Sequence, residues 1–174
     1  MVYAKTMNIR FENSEDRNGI RYINLEAFDT DAEANLIDAL RKSGIPIISL
    51  VAEENGQLVG HILFGPVTLD GDKPNISIAG LGPMAVLPDL QNQGIGSRLV
   101  EEGLKQCKRS GYEVVVVLGH PNYYPRFGFS PSANYGIKSE YDVPAEVFMV
   151  KEIHAGALNG RSGTVIYHQA FKDV

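Results

Sequence analysis

The sequence predicts a mixed α/β fold of the α+β kind, in which a central sheet, mostly antiparallel, is covered by helices. Three observations predict it. Between residues 47 and 86, apolar runs alternate with turn signals, as in a meander of antiparallel strands. Residues 94–110 then carry apolar side chains at helical spacing. Val114-Val115-Val116-Val117-Leu118 follows as an unbroken, largely β-branched run, the pattern of a strand covered on both faces.

The elements follow in order. Met7–Asn13 alternates enough for a first strand. Asn13 or Ser14 can cap a helix over 15–28, with Ile20, Ile23 and Ala27 along one face. Thr30 followed by Glu33 has the spacing of a capping box, in which each side chain bonds the other residue's free backbone N–H. It opens a second helix through Arg41, stopped at Gly44. Strands 47–53 and 58–67 flank Glu54-Asn55-Gly56-Gln57, and Asn-Gly is a strong hairpin signal because both residues tolerate positive φ. Asp70-Gly71-Asp72 marks another turn before a strand over 75–86.

In the helix of 94–110, Ile95, Leu99, Val100, Leu104 and Cys107 share one face, and Gly111 ends it. Strand, helix, strand in this order is a right-handed crossover, so strands 75–86 and 114–118 should lie parallel. The tail adds a strand at 147–153 and a weaker one at 164–167.

Bulk properties narrow the class. A chain of 174 residues fits one domain, 1–174, long enough to bury a core without disulfides or metals. No stretch approaches the roughly 18–20 apolar residues of a membrane-spanning helix, and the N-terminus lacks an apolar signal core. A cytoplasmic protein with no membrane partner is expected. The net charge of −5 argues against a nucleic-acid partner, since phosphate backbones reward a basic face. The single cysteine, Cys107, sits on the apolar helix face and reads as buried. His61, His154 and His168 share no metal-ligand spacing, so no metal is expected.

The chemistry is carried by the turn Val86-Leu87-Pro88-Asp89-Leu90-Gln91-Asn92-Gln93-Gly94-Ile95-Gly96. Its glycines let backbone approach a ligand closely, and the helix that follows aims free N–H groups and its positive dipole end at the same place. That is an anion site suited to a pyrophosphate. Nucleotide loops fit poorly: there is no Gly-Lys-Ser/Thr ending, and the third glycine of a dinucleotide fingerprint is missing.

Gln91-x-x-Gly94-x-Gly96, led in by Met84-Ala85-Val86-x-Pro88, resembles the acyl-CoA signature of the GNAT superfamily of N-acetyltransferases. Tyr123-Tyr124-Pro125-Arg126-Phe127-Gly128-Phe129 resembles that superfamily's Tyr-x-x-x-Gly-Phe segment. Phe148-Met149-Val150-x-Glu152-Ile153, Gly156-Ala157-Leu158-x-Gly160-x-Ser162-Gly163-Thr164-Val165 and Tyr167 resemble the bacterial YhbS-like group within it, so the likeness spans nearly the whole chain.

The resemblance implies an acetyl-CoA-dependent N-acetyltransferase, with a parallel, splayed strand pair and about four flanking helices. It implies direct attack of an amine on the thioester, without an acyl-enzyme. Gln91, Asn92, Gln93, Gly94, Ile95, Gly96 and Ser97 would cradle the pyrophosphate, and Met84, Ala85 and Val86 would pair with the pantetheine arm. Asn122 and Tyr124 would complete the cofactor contacts. Tyr124 is the candidate acid that protonates the CoA thiolate; the alternative is a tyrosine that packs or orients the cofactor. The strand 75–86 holds no Asp or Glu, which leaves His120 as a candidate base or a pocket-lining residue. Arg126 could reach a CoA phosphate or be an exposed charge. The acceptor is an unidentified amine, and the acidic balance suits a cationic one. A homodimer through the tail strands is compatible with these features. A non-catalytic acyl-CoA-binding regulatory or sensing module is the second function class they admit.

Overall fold

A computed structural model describes residues 6–71 and 75–174, without the side chain of Asp173. Part of the turn expected at Asp70-Gly71-Asp72 therefore lies outside the described residues. The strands are β1 (Met7–Phe11), β2 (Ile48–Glu54), β3 (Gln57–Asp70), β4 (Ile78–Val86), β5 (Val114–Leu118), β6 (Ser130–Pro131), β7 (Ile137–Ser139), β8 (Phe148–Glu152) and β9 (Gly163–Ile166). The α-helices are α1 (Arg17–Ala27), α2 (Ala32–Ser43) and α3 (Ile95–Arg109).

β1 to β4 form the expected antiparallel meander, and the β2–β3 hairpin turns at Asn55 and Gly56, both at positive φ. β4 and β5 run parallel, from Ile78 opposite Val114 to Leu81 opposite Val117. β8 continues the sheet beyond β5, with β6 at its edge. The far end of β3 leaves this order, and Thr68–Asp70 pairs instead with β9, which pairs in parallel with β7.

The valine run of β5 is buried on both faces, as its composition requires. Val115 and Val117 join a core with Leu99, Val100 and Cys107 of α3, whereas Val114 and Val116 join one with Phe148, Val150 and Val165 of the tail. A third cluster packs Ile20, Leu36, Ile37 and Leu40 of α1 and α2 on Val51 and Leu63. α3 approaches the sheet closely because Gly103 carries no side chain; a Cβ there would overlap the Phe64 ring.

Three expectations need correction. Asn13 caps a single 3-10 turn (Ser14–Asp16), in a capping box with Asp16, and the α-helix expected from residue 15 begins only at Arg17. Thr30 Oγ1 accepts a hydrogen bond from Ala32 N at 3.3 Å, yet Glu33 does not complete a box. Instead its Oε2 is buried without a hydrogen-bond partner. Finally, three α-helices flank the sheet among the described residues, rather than about four. After β5 the chain makes one 3-10 turn, Tyr124–Phe127, ended by Gly128 in the left-handed region at φ 90°. Pro125, at the start of this turn, has no N–H to donate.

Candidate active site

The site grows from a mismatch between two strands. A bulge in β4 shifts its register against β3, so that Ile62 faces Met84 and Phe64 faces Leu81. Gly82 and Pro83 take up the difference. β4 pairs with β5 only as far as Leu81, and beyond that point it keeps its hydrogen bonds to β3 alone. Along Met84, Ala85 and Val86, the side of β4 that faced β5 therefore has no partner strand. Backbone groups turned that way need another partner. An extended, amide-bearing chain laid in the gap can supply one, as an added strand does at a sheet edge.

The turn that leaves β4 is built to present backbone. Gln91 Nε2 donates to Val86 O at 3.1 Å, and Gln93 Nε2 to Asp89 O at 3.4 Å, so both side chains brace the loop. Asn92 has φ 61°, and Gly94, at φ 88°, is the N-cap of α3. No side chain caps α3, which leaves the N–H groups of Ile95, Gly96 and Ser97 without intrahelical acceptors. A fifteen-residue helix ending in bare N–H groups makes a competent anion site.

Across the gap, the turn after β5 carries two tyrosines at right angles. The Tyr123 and Tyr124 ring centroids lie 5.0 Å apart with an interplanar angle of 86°. The Arg126 guanidinium sits 4.6 Å from the Tyr123 centroid, a cation–π contact. Tyr124 is 7% exposed and packs edge-on to Phe129 and against Gly119, where a Cβ would overlap its ring. Burial, with a smaller contribution from Tyr123, pushes the Tyr124 phenol above its ordinary pKa. It therefore keeps its proton at neutral pH.

These parts line one cleft of about 790 Å³. Met84, Ala85, Val86, Gln91, Asn92, Gly94, Ile95, Gly96 and Ser97 line it, together with His120, Tyr123, Tyr124 and Arg126. His120 is exposed at this opening. Of the residues expected to contact a cofactor, Gln93 and Asn122 lie outside the lining, and both are exposed. The cleft extends past β4 to Phe28, Glu33, Tyr141, Tyr167 and Phe171, and the turn carrying Phe171 packs against the α1–α2 cluster. Cys107 is fully buried away from it, and burial pushes its thiol up to about 12.

Residues 47–131 match the model of the acetyltransferase (GNAT) domain. Over 166 residues, 95% of this chain and 98% of the relative, the sequence is 37% identical to the uncharacterized N-acetyltransferase YhbS of Escherichia coli strain K12. The chain belongs to the GNAT acetyltransferase family.

The solved structures agree with this GNAT assignment. The crystal structure of E. coli YhbS in complex with CoA superposes with a TM-score of 0.93, at 35% identity over 99% of this chain and 95% of that one. A GNAT acetyltransferase from Brucella melitensis, solved with acetyl-CoA, gives a TM-score of 0.79 at 36% identity over 95% of this chain and 98% of that one. The GNAT frame explains which parts of the cleft had a signal in the sequence. The donor-side turn and Tyr124 stand in motifs. Glu33, Phe28, Tyr141 and Phe171 do not, and the Thr30–Glu33 spacing had pointed to a helix cap rather than a cleft wall.

Proposed function

We propose that this chain transfers the acetyl group of acetyl-CoA to a primary amine by direct attack within a ternary complex. The observation that carries this reading is the single cleft joining the bare N-terminus of α3, the unpaired side of β4 and the buried Tyr124 hydroxyl. The pyrophosphate would lie on the N–H groups of Ile95, Gly96 and Ser97, with the pantetheine arm along Met84–Val86. That extended run would bring the thioester into the gap where β4 and β5 no longer pair. A β4 N–H there can donate to the carbonyl oxygen as it gains charge, an oxyanion-hole role.

The amine nitrogen attacks the thioester carbon, the C–S bond breaks, and the sulfur leaves with the electron pair. Tyr124 donates its phenolic proton towards that sulfur. Burial keeps the phenol protonated until it is needed, and its hydrogen bond to the sulfur strengthens as negative charge develops there. The amine must shed a proton, and β4 offers no carboxylate. The exposed His120 is assigned as the acceptor of that proton, directly or through water.

Supporting this reading are the relatives themselves, named as N-acetyltransferases, and the two neighbours solved with CoA and acetyl-CoA. The test is release of free thiol from acetyl-CoA across a panel of polyamines, aminoglycosides, amino acids, arylalkylamines and peptides. Turnover with at least one amine is expected. Tight CoA binding with no turnover on any amine would favour a regulatory or sensing module instead.

A further inference from the structure

The end of the cleft away from the α3 N-terminus has a chemistry of its own. Glu33, at the start of α2, lines it, and Glu33 Oε2 is buried without a hydrogen-bond partner. Tyr167, just after β9, also lines it, is 7% exposed, and has a hydroxyl that is buried and unpartnered as well. A ligand that bonds these groups supplies partners that the protein itself does not. Tyr141 adds a third such group, its hydroxyl, and Phe28, Leu36 and Phe171 make the rest of this wall apolar. Tyr167 stands 5.6 Å from Tyr141 and 5.1 Å from Phe171, centroid to centroid.

A carboxyl oxygen that lacks a donor calls for an N–H-bearing cation, and aromatic faces attract an ammonium while their bodies pack against hydrocarbon. A hydroxyl-rich amine fits badly. Each of its hydroxyls would lose water and find few partners on such walls. Resting on the acetyl-transfer reading above, we propose that this end binds the acceptor, and that the acceptor is a primary amine on an apolar or aryl arm. Glu33 accepts hydrogen bonds from its ammonium as it arrives, the Tyr167 hydroxyl supplies the second polar contact, and the aromatic rings hold the arm.

The probe is 2-phenylethylamine, titrated calorimetrically into the protein saturated with CoA, beside 2-phenylethanol and glucosamine. The expected result is binding of 2-phenylethylamine at least tenfold tighter than either control. In Glu33→Gln this preference should fall at least tenfold, with CoA affinity unchanged; Tyr167→Phe should weaken 2-phenylethylamine by a smaller factor. The inference is overturned if wild-type protein prefers glucosamine, if 2-phenylethylamine does not bind, or if Glu33→Gln binds it as tightly as wild type while retaining CoA. Thiol release in the same samples reads the two proposals apart. Amine binding without release from acetyl-CoA supports this site and sinks the transferase reading. Release with glucosamine alone does the reverse.

Discussion

The Tyr123 hydroxyl lies 3.4 Å from the Ser97 hydroxyl, within hydrogen-bond distance, and so ties the turn after β5 to the first turn of α3. The two sides of the donor cleft are thereby held in register across a gap where β4 and β5 no longer pair. Tyr124, the neighbour of Tyr123, gains a fixed position from this tie and from its packing on Gly119 and Phe129.

Tyr124→Phe removes one oxygen and keeps the ring that fills the space. Under the acid role, kcat falls by about 10²-fold, the scale of a positioned proton donor, while acetyl-CoA affinity changes little. Steady-state kinetics with parallel calorimetry check this. An unchanged kcat would leave Tyr124 a packing residue.

Gly94→Val acts on main-chain geometry. At φ 88° a β-branched residue is strained by roughly 1–3 kcal/mol, and relief of that strain turns the α3 N–H groups away from their common focus. CoA affinity should drop by about tenfold or more, since 1.4 kcal/mol is one decade. Normal CoA affinity in this variant would displace the pyrophosphate from the position assigned to it.

Gly103→Ala tests the contact between helix and sheet. The added methyl overlaps the Phe64 ring, and overpacking of this kind costs about 1–3 kcal/mol. Urea unfolding should register that loss as a lower midpoint with an unchanged slope.

His61 governs part of the acid response. It is fully buried, its Nε2 lies 2.8 Å from Ser49 Oγ, and its Nδ1 has no partner. Desolvation, with a smaller contribution from the Arg41 charge, lowers its pKa from 6.5 to about 3. Between those values the unfolded chain binds a proton that the folded chain refuses, so stability falls as pH drops from 6.5 towards 3. The slope is about 1.4 kcal/mol per pH unit. His61→Asn should flatten the stability profile between pH 6.5 and 5 by about 2 kcal/mol relative to wild type. Equal slopes in the two proteins would contradict this origin.

Legibility in the sequence followed the range over which each signal acts. The Asn55-Gly56 hairpin, the α3 face and the Val114–Leu118 strand depend on local torsion and periodicity, and each appears where expected. The helix count fell short of the expected four or so; after β5, Pro125 and Gly128 leave room for only one 3-10 turn. Glu33 was misjudged for a subtler reason. Its spacing from Thr30 satisfies a local rule, but the cleft beside α2 comes from tail residues more than a hundred positions away, and no local pattern records them. β7 and the pairing of β9 with β3 were missed on the same ground, since they are long-range partnerships of short segments.

The β4 bulge at Gly82–Pro83 and the early end of β4–β5 pairing have a bearing on how such a scaffold diversifies. In the proposed reading the donor is gripped through main-chain groups on Met84–Val86 and Ile95–Ser97, which most substitutions leave in place as long as they introduce neither proline nor a different torsion at Gly94. The opposite end of the cleft is gripped through side chains, where each replacement alters shape and polarity directly. One half of the protein can therefore accumulate mutations that reassign its client while the other goes on accepting the same currency.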